Sequence, residues 1–207
     1  MTNIYENNKA FVGQNAIDFT LKAVMADNSI AEFNLKNYIA GHKAVLFFYP
    51  LDFTFVCPSE LIAINNRLAE FNKRKTKVMA ISVDSHFSHL AWKKTSHNDG
   101  GVGNLQFPML SDFNKKVSSD YGVLIENDGV ALRGSFIIDT DFTVRHITIN
   151  DLPLGRNIDE MIRLLDAIDY HNTNGEVCPA GWNQGKGGMT ATSEGVADYL
   201  ASHSSEL

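Results

Sequence analysis

The chain has 207 residues, enough for one globular domain of ~150 residues with an extension. At 44% hydrophobic and 20% charged residues it falls among soluble globular proteins and outside the disordered and fibrous classes. A net charge of −6, with Lys73-Arg74-Lys75-Thr76-Lys77 as the densest basic cluster, excludes an obvious nucleic-acid surface, and the apolar run Ala44–Tyr49 is far shorter than the ~20 residues that span a bilayer.

Lys43–Tyr49 is a continuous apolar run, the pattern of a strand buried on both faces, and Pro50 stops it. From Ser59 to about Lys73, Leu61, Ile64, Leu68 and Phe71 recur at spacings of three and four, which predicts one helix with a single apolar face. Lys77–Val83 reads as a second buried strand, His86–Thr95 as a short helix, Gln106–Leu110 as a third strand and Asn114–Tyr121 as another short helix. Asn127-Asp128-Gly129 between two apolar triplets signals a hairpin, because these residues tolerate the positive φ of tight turns. Arg133–Asp139 and Thr143–Ile149 read as further strands. Asn157 to Glu160 has capping-box spacing ahead of a helix that carries Ile158, Met161, Ile162, Leu165 and Ile168 on one face and ends near His171. Beyond it, Asn172–Thr192 is glycine-rich without apolar periodicity and reads as an arm, with a short terminal helix at Ala197–Leu200. The alternation predicts an α/β protein with a central mixed sheet flanked by helices, residues 1–171, and a C-terminal arm, residues 172–207.

Two cysteines, Cys57 and Cys178, are too few for a disulfide scaffold or an all-cysteine metal site, and neither belongs to a CxxC pair. Met1-Thr2-Asn3-Ile4-Tyr5-Glu6 has neither the cationic start nor the apolar stretch of a secretory signal, so the expected compartment is the reducing cytoplasm, where a cysteine pair is more often chemical than structural. Cys57 falls where a buried strand has ended and a helix is about to begin. The positive end of a helix favours an anion in its first turn, hence the nucleophilic thiolate. Thr54, three residues upstream, is close enough to donate its hydroxyl to that sulfur, and Pro50 is placed to shield it from water. By position alone Cys57 could equally be a small buried hydrophobe.

The spacing Pro-x-x-x-Thr-x-x-Cys, here Pro50, Thr54 and Cys57, resembles the active-site signature of the peroxiredoxins. Three further blocks in the same order, Arg133–Asp139, Asn150–Arg156 and Gly175–Trp182, extend that resemblance over nearly the whole chain and to the typical two-cysteine members, the alkyl hydroperoxide reductase and thioredoxin peroxidase type. The resemblance implies a thioredoxin-like fold and a thiol peroxidase that needs no cofactor and no metal. It makes Cys57 the peroxidatic cysteine, which a peroxide oxidises to sulfenic acid, and Cys178 the resolving cysteine, supplied by the other subunit of a homodimer. Arg133 is then the cation beside Cys57, Glu60 orients that guanidinium by a bidentate contact, and Arg156 is a second active-site arginine. A decameric ring is implied as an assembly, and thioredoxin or a flavoprotein disulfide reductase as the electron donor. Holdase activity and redox relay to a client protein are alternative roles in such a family. Gly100-Gly101-Val102-Gly103 and Tyr199-Leu200 are altered forms of the loop and tail that slow resolution in its peroxide-sensitive members, so intermediate sensitivity to overoxidation is expected.

His86, His89 and His97 lack partners at metal-ligand spacing. Gly181–Gly187 resembles a P-loop superficially but lacks a Ser or Thr after its lysine and follows no strand. For Trp92, Phe53, Phe55 and Phe87, core packing is the default reading and a contact between dimers the alternative.

Overall fold

The computed structural model describes residues 9–207, so Met1–Glu6 lies outside the described residues. These residues divide into two compact units, the first ending at Ile158 and the second running from Asp159 to Leu207.

The first unit opens with a hairpin, β1 (Thr20–Val24) and β2 (Ile30–Asn34), followed by a short helix α1 (Leu35–Ile39). The Asn34 side chain starts α1 by accepting from Asn37 N at 2.9 Å. Next come β3 (Lys43–Phe48), α2 (Cys57–Asn66), α3 (Leu68–Lys73), β4 (Thr76–Ser82), α4 (His86–Lys94), β5 (Met109–Ser111), α5 (Lys116–Asp120), a small hairpin of β6 (Leu124–Ile125) and β7 (Val130–Ala131), β8 (Arg133–Ile138) and β9 (Val144–Asn150). Seven strands form one sheet in the order β2-β1-β5-β4-β3-β8-β9. β3 pairs parallel with β4, and β4 with β5, while β8 runs antiparallel to both β3 and β9, so the sheet is mixed.

β3 is an interior strand between β4 and β8 and is buried along its whole length, which explains its unbroken apolar sequence. Its side chains Ala44, Leu46 and Phe48 join Ile81, Phe136 and Tyr121 in one core cluster, with Phe48, Tyr121 and Phe136 packed ring against ring. The consequence for function is positional: the end of β3 is held on both sides, and the loop leaving it starts from a fixed point.

The structure departs from the sequence-based picture in three places. The stretch 59–73 is two helices, because the backbone leaves helical geometry at Arg67 (φ −108°, ψ 9°) after a pair of asparagines, which favour helix ends over helix interiors. The hairpin β1–β2 and α1 lie in a stretch to which the periodicity assigned no element. Trp92 is fully buried as core packing requires, but Phe53, Phe55 and Phe87 are 53%, 97% and 68% exposed and belong to no core.

The second unit comprises the rest of α6 (Ile158–Asn174), an irregular glycine-rich segment, and α7 (Ser193–His203), started by Thr192 accepting from Gly195 N. α6 buries Met161, Leu165 and Ile168 and runs one turn beyond His171; α7 is longer than the Ala197–Leu200 stretch that signals it. No helix among the described residues is long and apolar enough to cross a membrane.

Candidate active site

The loop from Tyr49 to Val56 carries the chain from the end of β3 into α2, and Cys57 is the first residue of that helix with Pro58 beside it, where the missing proline N–H costs nothing. Cys57 has no exposed surface. Thr54 Oγ1 lies 2.9 Å from Cys57 Sγ and 2.8 Å from Leu51 O. A hydroxyl has one proton, so it serves one acceptor at a time. Against a thiol it donates to the Leu51 carbonyl; against a thiolate it turns to the sulfur.

Opposite Thr54, Arg133 at the start of β8 donates from one terminal nitrogen to Cys57 Sγ at 3.3 Å and to Glu60 Oε2 at 2.9 Å, and from Nε to Leu152 O at 2.6 Å. The next residue must be glycine, since a Cβ on Gly134 would fall 2.6 Å from Val123 Cγ1. That close approach fixes the strand from which the guanidinium projects. Glu60, one turn into α2, makes a single contact with Arg133, and its bidentate fork goes to Arg156 instead: Arg156 Nε reaches Oε1 at 2.9 Å and NH2 reaches Oε2 at 3.0 Å. The expected fork between Glu60 and Arg133 is corrected accordingly, because Arg133 spends its Nε on Leu152 O. Arg156 also donates to Gly134 O and Ser135 Oγ and sits 3.2 Å over the Phe47 ring. Burial draws its guanidinium below the ordinary arginine range, and Glu60 opposes that shift. Arg156 therefore acts on the sulfur's surroundings through Glu60 rather than by touching the sulfur. Counted together, two buried cations face one carboxylate, which leaves one positive charge for a thiolate at Cys57 to balance.

The same loop is tied down at Asp52, which the sequence reading did not single out. Asp52 Oδ1 accepts from Tyr49 OH at 2.7 Å, Oδ2 lies 2.8 Å from His89 Nδ1, and Asp52 N donates to Asp84 Oδ2 at 2.9 Å. Burial pushes the Tyr49 phenol far above its usual range, so it remains a donor. His89 completes its bonding at Leu110 O, 3.1 Å from Nε2. Its three-residue spacing from Trp92 on α4, both inward-facing, was the available signal. Next to Asp52, Phe53 takes a left-handed backbone (φ 54°), strained for a residue with a bulky side chain, and its ring rests 5.7 Å from that of Trp92. Pro50 is buried at the base of this loop.

The second unit holds Cys178, half-buried, with its thiol directed at Ala167 O at 3.5 Å. Burial raises its pKa above the ordinary thiol value, with Arg163 pulling the other way. Both cysteines are free.

A family model described as the AhpC/TSA family matches residues 12–147, and the model for the C-terminal domain of 1-Cys peroxiredoxin matches residues 167–202. The chain is 50% identical over 194 residues to alkyl hydroperoxide reductase C of Buchnera aphidicola, covering 93% of this chain and 98% of that one. It is 48% identical over 193 residues to a thioredoxin peroxidase of Echinococcus granulosus, covering 93% and 99%. Among solved structures, the reduced 2-Cys peroxiredoxin of Plasmodium vivax matches with a TM-score of 0.90 at 47% identity, over 93% of this chain and 99% of that one. With the expected sheet and the sulfur-centred site on one scaffold, the chain belongs to the AhpC/TSA family and is a peroxiredoxin of thioredoxin-like fold.

Proposed function

We propose that Cys57 is the peroxidatic and Cys178 the resolving cysteine of a peroxidase acting on hydrogen peroxide and organic hydroperoxides. The observation that carries this reading is the convergence on one buried sulfur of the Thr54 hydroxyl and the Arg133 guanidinium, within a charge set that a thiolate completes. The thiolate attacks one peroxide oxygen; an S–O bond forms as the O–O bond breaks, and the electron pair leaves on the second oxygen, which takes a proton to become alcohol or water. The Arg133 guanidinium and the Thr54 hydroxyl can redirect their hydrogen bonds to follow that charge from sulfur to the departing oxygen. Pro50 keeps the site dry, and Glu60 with Arg156 positions Arg133.

Cys178 of the partner subunit then attacks the sulfenic sulfur, forming the disulfide and releasing water. Cys57 is fully buried in its own chain, so α2 must open locally first. A dithiol reductant of the thioredoxin type, or a flavoprotein disulfide reductase, returns two electrons. The working unit is a homodimer, with a decameric ring as its higher assembly, in a cytoplasmic setting that keeps both thiols reduced between turnovers. The family names of its relatives support the peroxidase chemistry and the thioredoxin-type donor.

A non-reducing gel after one equivalent of peroxide tests the mechanism. A covalent dimer absent from both Cys57→Ser and Cys178→Ser is expected; an oxidised monomer with an intrachain disulfide would overturn the intersubunit step.

A further inference from the structure

Cys178 lies in a segment tied to α6 on both its sides. One stripe of the helix carries these ties: Arg163, Ala167, Tyr170 and His171, at helical spacings of four, seven and eight from the first. Ahead of the cysteine, Tyr170 OH donates to Glu176 Oε2 at 2.5 Å, and His171 Nδ1 lies 2.8 Å from Glu176 O. At the cysteine, the thiol points to Ala167 O. Beyond it, Arg163 donates to Trp182 O at 2.7 Å, and the Trp182 ring packs 4.9 Å from that of Tyr170. The phenol oxygen also accepts from Gly188 N at 2.7 Å, and next to that bond Val177 and Met189 exchange both of their backbone hydrogen bonds. Gly188 has to be glycine here, since a Cβ would fall 2.6 Å from both the Glu176 carboxylate and the Tyr170 ring. One side chain, Tyr170, thus touches the segment before and after Cys178 and also the stretch that returns beside it at Gly188.

We propose that Tyr170, through Glu176 and Gly188, is a positioning residue that latches the segment carrying Cys178 and sets how fast that thiol is released for resolution. The proposal rests on the two-cysteine reading above. The step it governs is Cys178–SH plus Cys57–SOH giving the S–S bond and water; the sulfur of the sulfenic acid is reduced as the thiol is oxidised, with no further reagent. A half-buried thiol bonded to its own helix cannot reach a sulfur that is itself without exposed surface, so the latch must open before the bond forms. While it stays shut, a second peroxide can convert sulfenic to sulfinic acid. The latch is therefore also a setting of overoxidation sensitivity, separate from the loop at Gly100–Gly103 and from α7.

Tyr170→Phe keeps the ring on Trp182 and deletes the hydroxyl that joins Glu176 and Gly188. Reduced wild type and variant are mixed rapidly with peroxide, following the oxidation phase, which scales with peroxide concentration, and the resolution phase, which does not. The expected result is an unchanged oxidation rate, a resolution rate about tenfold higher, and a proportionate rise in the peroxide dose giving half-maximal sulfinic acid by mass spectrometry. Gly188→Ala, which forces the latch open from the returning side, should reproduce the effect. Glu176→Gln, which leaves an acceptor for the phenol, should stay within threefold of wild type. An unchanged or slower resolution phase in both Tyr170→Phe and Gly188→Ala would overturn the latch, as would an oxidation phase that changes along with it. A wild-type protein that forms no intersubunit disulfide would overturn the two-cysteine reading instead.

Discussion

Replacing Glu60 by glutamine removes the carboxylate on which two arginines depend. Glu60 accepts hydrogen bonds from Arg133, from the Arg156 backbone N and from Arg156 Nε and NH2, at 2.9, 2.9, 2.9 and 3.0 Å. The side chains are 2%, 4% and 1% exposed for Glu60, Arg133 and Arg156, so water cannot take over the lost partnership. A glutamine offers one oxygen, and its NH2 group must face a guanidinium, so at least two charge-assisted bonds become donor-to-donor contacts. At ~1.5–3 kcal/mol for each such bond the loss is roughly 3–6 kcal/mol, in line with the ~3–5 kcal/mol for removing one member of a buried ion pair. With a urea m-value of ~2–3 kcal/mol/M, the denaturation midpoint of the reduced protein should fall by roughly 1–3 M. The rate of Cys57 oxidation should also fall, but less than in Arg133→Met, because Arg133 keeps its bond to Leu152 O. A cycle combining Glu60→Gln with Arg156→Met should show strong coupling, since each single change strands the other group. A midpoint shift below about 0.3 M together with additive effects in the cycle, each under ~1 kcal/mol, would refute the reasoning.

Three further outcomes are expected. Thr54→Val, nearly isosteric, should slow the peroxide-dependent phase ~10²–10³-fold while Thr54→Ser retains most of the rate, as rapid-mixing fluorescence would show; equal rates for the two variants would remove the hydroxyl from the mechanism. Because burial raises the Cys178 pKa and the attacking species is the thiolate, the resolution rate should keep climbing with pH beyond the ordinary thiol value of ~8.5, and a plateau below pH 8 would contradict this. Burial lowers the Lys93 pKa to about 8 from 10.5, so between these values the unfolded chain binds more protons than the folded one and stability gains from this group as pH rises; denaturation midpoints of wild type and Lys93→Met measured from pH 7 to 10.5 should show that gain in the wild type alone.

What was legible in the sequence was the chemistry compressed into neighbouring positions. Pro50, Thr54, Cys57 and Glu60 lie within eleven residues, and their placement follows from one strand ending and one helix starting. Arg133 could be named only through the resemblance, because nothing local brings a residue on β8 to the start of α2. The partition of Glu60 between its two arginines was not legible at all: it depends on Leu152 O capturing the Arg133 Nε, a contact set by the register of β8 against β9. Asp52 sat inside the motif block unremarked, since its partners Tyr49, His89 and Asp84 are assembled by β3, α4 and the end of β4. The β1–β2 hairpin carries mixed, half-exposed positions rather than a clean alternation, so periodicity offered little there. The exposed aromatics mark the opposite failure, where apolar character predicts burial that a single chain does not provide.

The interruption at Arg67 bears on the economy of repeated turnover. Had residues 57–73 formed one continuous helix, loosening its first turn would have drawn on the cooperativity of the whole length. As built, the segment that begins with the reactive cysteine ends at Asn66, and the next helix starts afresh at Leu68 with Phe71 buried in its own right. Fraying can travel ten residues and then meets a boundary already paid for in the resting fold. On the mechanism proposed above, each catalytic cycle would disturb only this short helix while the sheet behind it stays intact.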